Sequence, residues 1–160
     1  VLGTLAHFAY EWSGKQLLAG AFCAVNESTW EHMKLLFFPA LLFTMIQIAA
    51  ARERDGAIPA VRAVSITAGL LLIPVLYYTY TGILGRHVLW ADIAIFYLAA
   101  ALTFRLDSRL RRRRRLWEPW QQAAGLLWLW GLAFLFVWWT FRPPHIGLFL
   151  DPATGGYGIA

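Results

Sequence analysis

Residues 28–51, STWEHMKLLFFPALLFTMIQIAAA, decide how this chain folds. Ser28 followed three positions later by Glu31 is the pattern of a capping box, so a helix is expected to start near Ser28. From Leu35 to Ala51 no charged residue occurs, and Arg52-Glu53-Arg54-Asp55-Gly56 then ends the run. At about 1.5 Å per residue, this stretch with its first turn can cross roughly 30 Å of hydrocarbon. Pro39 lies inside it and is expected to kink it.

The same pattern recurs on both sides. Ala63 to Leu84 reads as a span with a second kink at Pro74, and Gly85-Arg86-His87 as a very short turn. Val88 to Phe104 reads as the next span, followed by a basic loop from Arg105 to Arg115 and an interfacial belt at Trp117, Pro119 and Trp120. Ala123 to Phe141 is the last span, and Trp138-Trp139 mark its far end. Upstream, Val1 to Trp12 is apolar but too short to cross, so it is read as the remainder of a helix truncated at its N-terminus. Ser13-Gly14 interrupts that helix, and residues 15–31 suit an interfacial or re-entrant segment. Residues 142–160, rich in Pro and Gly, read as a non-helical tail. The fold class expected is therefore all-α: one membrane domain over residues 1–160, a polytopic transmembrane bundle of about five spans.

Composition excludes the other classes. Hydrophobic residues make up 59% of the 160, against roughly 45–50% in soluble domains. Charged residues make up 14%, against roughly 25%. A soluble chain of this size could not hide that much apolar surface. With Cys23 as the only cysteine, a disulfide framework is excluded. The net charge of +5 is concentrated in Arg111-Arg112-Arg113-Arg114-Arg115, between two apolar segments. Anionic lipid, not nucleic acid, is the partner that such a run implies there. Ten of the fourteen cations fall in residues 52–62 and 105–115. The positive-inside rule then puts those loops and the N-terminus in the cytoplasm and the C-terminal tail outside.

The polar residues are as lopsided as the cations. Under this topology His7, His32, His87 and His145 all fall on the outer half, with Glu11, Glu27, Glu31, Asp92 and Asp151. Ionisable groups at membrane depth are costly and normally face a bundle interior or a wet cavity. One outward-facing pocket is expected from His7, Glu11, Asn26, Glu27, Glu31, His32, Lys34, His87, Asp92 and His145. Its ligand would be a metal ion, a lipid head group or a small polar solute. His7 and Glu11 share a helix face, as do Glu27 and Glu31. With His32 these four offer the nitrogen and oxygen donors that suit a divalent metal such as Zn, Fe or Mn, although neither HExxH nor paired ExxH is present. The bland alternative pairs Glu31 with Lys34 and Asp92 with Arg86, leaving no site. Ser13, Ser28 and Cys23 lack a nucleophile-elbow motif, so no catalytic residue is assigned. The alternative function is a structural or accessory subunit whose polar outer face docks a partner protein.

The run Val25-Asn26-Glu27-Ser28-Thr29-Trp30-Glu31-His32-Met33-Lys34-Leu35-Leu36-Phe37-Phe38-Pro39 resembles the signature of a family of small bacterial multi-pass membrane proteins whose function is not established. His7-Phe8-Ala9-Tyr10-Glu11-Trp12-Ser13-Gly14 is similar to that family's first-helix motif. Pro143-Pro144-His145, Asp151-Pro152 and Gly155-Gly156-Tyr157-Gly158 are similar to its tail. The resemblance implies an integral protein of the bacterial plasma membrane and carries no substrate.

Overall fold

The computed structural model describes residues 8–50, 58–112 and 118–159. Among them the regular structure is helical: α1 (Leu17–Phe22), α2 (Thr29–Ala50), α3 (Ile58–Leu84), α4 (Leu89–Arg111) and α5 (Pro119–Phe141), then a single 3₁₀ turn at Gly147–Phe149. Residues 8–12 are also helical. Among the described residues, α2, α3, α4 and α5 are long and apolar enough to cross a membrane. The span expected from Val1–Trp12 lies largely outside the described residues.

The chain forms two compact units, residues 1–39 with 130–160, and residues 40–129. In the first, residues 8–12 end in a Schellman-type cap. Gly14 takes φ +71 and donates its N–H to the Glu11 carbonyl, while the Lys15 N–H reaches back to Tyr10. That cap is the physical form of the interruption expected at Ser13-Gly14. The start of α2 is half a capping box: the Glu31 N–H donates to Ser28 Oγ at 3.3 Å. Asn26 takes the reciprocal part, its Oδ1 accepting the Ser28 N–H at 2.9 Å. The glutamate side chain is thereby free for other partners. Trp30 is the centre of the aromatic core, with Phe136, Phe149 and Trp139 at ring distances of 4.4, 4.9 and 5.1 Å. The tail closes on itself through the Leu150–Tyr157 bridge. Asp151 caps its turn, accepting from the Ala153 N–H and the Thr154 hydroxyl.

In the second unit α3 and α4 form an antiparallel hairpin, and Gly85 at φ +67 supplies the left-handed residue that ends α3. Three boundaries differ from expectation, one of them the start of α5, which lies at Pro119 and not at Ala123. Helix α3 begins at Ile58, not Ala63, and α4 continues through Arg111, well past Phe104. The extension into the basic stretch has an electrostatic cause. Asp107 and Arg111 pair one turn apart at 3.0 Å, and Arg109 and Arg111 lie at the negative end of the helix dipole. Helix α5 begins with Pro119 at its first position, where a missing N–H costs nothing. Gln121 accepts the Glu118 N–H at 2.7 Å and completes the cap. Pro39 and Pro74 both sit within continuous helices.

The exposed surface of the long helices is apolar. Leu42, Ile46, Leu71, Val75, Ile83, Trp90, Leu98, Leu127 and Phe134 are all exposed. That is the arrangement hydrocarbon stabilises and water penalises.

Candidate functional site

The most deeply buried ionic group of the first unit is a pair. Lys34 is 0% exposed and Glu31 2%, with Nζ and Oε2 2.6 Å apart. A lysine ammonium has three N–H donors. Here one goes to Glu31, one to the Gly20 carbonyl at 2.8 Å and one to Thr140 Oγ1 at 2.8 Å. Glu31 Oε2 also accepts the Val25 N–H at 3.1 Å. Glu31 Oε1 and the Phe136 carbonyl share the single proton of the Thr140 hydroxyl, at 3.0 and 2.9 Å. Removing two charges from water costs several kcal/mol per ion unless every remaining donor and acceptor is met. The cluster meets them, and in doing so ties α1, the 23–28 loop, α2 and the end of α5 into one body. Asn26 extends the tie to the tail, its Nδ2 donating to the Gly158 carbonyl at 2.9 Å.

The other expected site residues are distributed as follows. His7 lies outside the described residues. Glu11 is exposed and faces Lys15 at 4.0 Å. Glu27 and His32, both part-exposed, stand 3.5 Å apart, and His32 Nδ1 is 3.0 Å from the Ser28 carbonyl. His145 stacks on Tyr157 at 4.7 Å. Among the described residues no group of three or more His, Cys, Asp and Glu side chains could hold a metal ion. Cys23, at the end of α1, is part-buried, and that burial pushes its thiol pKa up, partly opposed by nearby Lys34.

His87 and Asp92 belong to the second unit. His87 Nδ1 lies 3.5 Å from Asp92 Oδ2. The Tyr80 hydroxyl donates to Asp92 Oδ1 and accepts the Val88 N–H at 3.1 Å. Asp92 is thus met by Tyr80 and His87, whereas the bland alternative pairs it with Arg86.

Two features had no place in the sequence reading. One is Thr140, more than a hundred residues from Glu31. Its only signal was a lone hydroxyl in the apolar run Leu135–Phe141. The other is a cluster in the second unit. Arg62 and Arg111 both donate to Gln47 Oε1, at 2.8 and 2.9 Å, and both face Asp107, at 3.4 and 3.0 Å. Asp107, an acid alone among arginines and four residues before Arg111, was the available hint.

Long apolar helices carrying buried, internally paired charge define this chain as an all-α protein of membrane type. It belongs to a family of unknown function, DUF6512, whose model matches residues 1–159. No curated protein and no solved structure matches it.

Proposed function

We propose that the protein is a structural or accessory subunit of a membrane, whose outer polar face docks a partner protein. The observation that carries this reading is the Glu31–Lys34–Thr140 cluster, in which all three ammonium donors and both carboxylate oxygens are engaged by the chain itself. A ligand site needs unmet donors or acceptors, whereas a fully met cluster fixes a shape. In this reading the outer face is carried by the exposed side chains of Glu11, Glu27, His87 and His145, with part-buried His32 beside Glu27. The cation asymmetry supports placing these outside, with the N-terminus in the cytoplasm and Arg111 to Arg115 against anionic lipid. The family resemblance supports the bacterial plasma membrane.

A second reading keeps the solute or metal pocket. Its support is the part-exposed Glu27–His32 pair at the very start of α2, beside the locked cluster. One experiment separates the two. The full chain is purified in mild detergent from its own membrane, as wild type and as the charge-reversed Glu27→Lys/His32→Glu variant. The docking reading expects a partner at fixed stoichiometry that the variant loses while keeping its melting temperature. It also expects no upward shift of that temperature on adding zinc. A zinc-dependent stabilisation abolished by the variant, with no partner present, would establish the pocket reading instead.

A further inference from the structure

The second unit contains an apolar groove that the reading above leaves unused. It holds about 590 Å³ of space, within the roughly 300–1,000 Å³ of small-molecule sites. One wall is α3, from Ala60 through Ala63, Val64, Thr67 and Ala68 to Leu71, which is one helix face. The other is α5, from Trp120 through Ala124 and Gly125 to Trp128. The two helices nearly touch at one end: a Cβ on Gly125 would lie 2.7 Å from Ala60 Cα. Small residues floor the crease, and the exposed indoles of Trp120 and Trp128 stand along its side. The Trp128 ring is fixed, because its Nε1–H donates to Thr67 Oγ1 at 2.8 Å. That bond gives the indole N–H its acceptor in the middle of the groove.

We infer that this groove holds one acyl chain of a membrane phospholipid, an inference that rests on the membrane location proposed above. Three observations select that occupant. The first is chemistry, since the indole N–H of Trp128 is taken up by Thr67 and, the Thr67 hydroxyl apart, the middle of the groove is lined by Ala63, Val64, Ala68, Leu71, Ala124, Gly125 and the Trp128 ring. The second is length. From Ala60 to Leu71 is eleven steps of about 1.5 Å, or roughly 16 Å, which is about half of a hydrocarbon layer roughly 30 Å thick. The groove starts two residues into α3 and one residue into α5, so it runs from one interface to about the midplane. A chain anchored in one leaflet fits that extent, whereas a partner helix crossing the membrane would meet the groove over only half its length. The third is the polarity of the interfacial end. There Gln121 carries its side-chain amide N–H₂ and Trp120 its indole N–H, donors suited to the ester carbonyls of a glycerophospholipid. With the proposed orientation this is the inner leaflet.

The test uses the whole protein in vesicles of phosphatidylethanolamine and phosphatidylglycerol carrying a small fraction of phospholipid with a diazirine on its acyl chain. After irradiation the labelled residues are mapped by mass spectrometry. Labelling should concentrate on the exposed lining residues Val64, Leu71, Trp120 and Trp128, several-fold above the comparably exposed Trp90 and Leu98 of α4. Ala68→Phe and Ala124→Phe, which fill the groove from either wall, should each remove that excess and leave the α4 labelling unchanged. Uniform labelling of all exposed helix faces would overturn the inference while leaving the membrane reading intact. Absence of labelling on every helix would overturn both. If the groove is instead protected and becomes labelled only when the protein is diluted to monomers, a second copy is the occupant and the lipid inference fails.

Discussion

Replacing Lys34 by Met tests whether the buried pair is what holds the first unit together. The substitution nearly conserves volume and removes the ammonium from a site with no solvent exposure. It leaves the Glu31 carboxylate, the Gly20 carbonyl and the Thr140 hydroxyl each without one partner. Breaking a buried pair from one side costs about 3–5 kcal/mol, because an uncompensated charge stays behind. For chains of 150–250 residues each kcal/mol moves the melting temperature by roughly 2–4 °C, so the drop should be roughly 6–20 °C. Thermal unfolding in detergent, followed by tryptophan emission, reads this directly, since Trp30 lies one turn before Lys34 in the same helix. The double variant Glu31→Gln/Lys34→Met should lose clearly less than the sum of the two singles, because neither charge is then stranded. Lys15→Met is the control: its pair with Glu11 is exposed and 4.0 Å long, and its loss should not be measurable. A Lys34→Met melting temperature within about 2 °C of wild type, or strict additivity in the double variant, would refute the reasoning.

Gly125→Leu should destabilise the second unit by about 1–3 kcal/mol or more, since its side chain meets the Ala60 backbone. Gly131→Ala on the same helix, with open space around it, should stabilise by up to about 1 kcal/mol; the same melts compare them. Cys23, with its thiol pKa pushed up by burial, should react with iodoacetamide more slowly at pH 7 than a peptide thiol. Its rate should climb over a pH range displaced upward, and a peptide-like profile would contradict the burial argument. Reporter fusions after Ala160 and at Gly56 should read opposite sides of the membrane, the first outside and the second in the cytoplasm; the same side for both would contradict the proposed topology.

Sequence by itself determined the helices, because their signals are local. Hydrocarbon demands long uncharged runs, so Leu35–Ala51 and its counterparts could be read without a fold. Ser28 and Gly14 punctuate them by backbone chemistry that acts within a few residues, whereas Pro119, which starts α5, was read only as part of an interfacial belt. Where local reading stopped short, at Arg105 to Arg111, the cause was a medium-range pairing of Asp107 with Arg111 that hydropathy does not register. The partners of the charges were a different matter. Glu31 and Lys34 could be paired on paper, but nothing local says that Glu31 leaves its capping role to Asn26. Nor does anything local bring Thr140, 109 positions away, to stand between them. Only tertiary structure decided that, because a buried charge takes whichever donors packing brings within about 3 Å, and packing is a property of the whole chain. The same holds for the groove at Gly125. A glycine in an apolar helix is legible, but that it meets the Ala60 backbone beside the groove is set by how two helices distant in sequence come together.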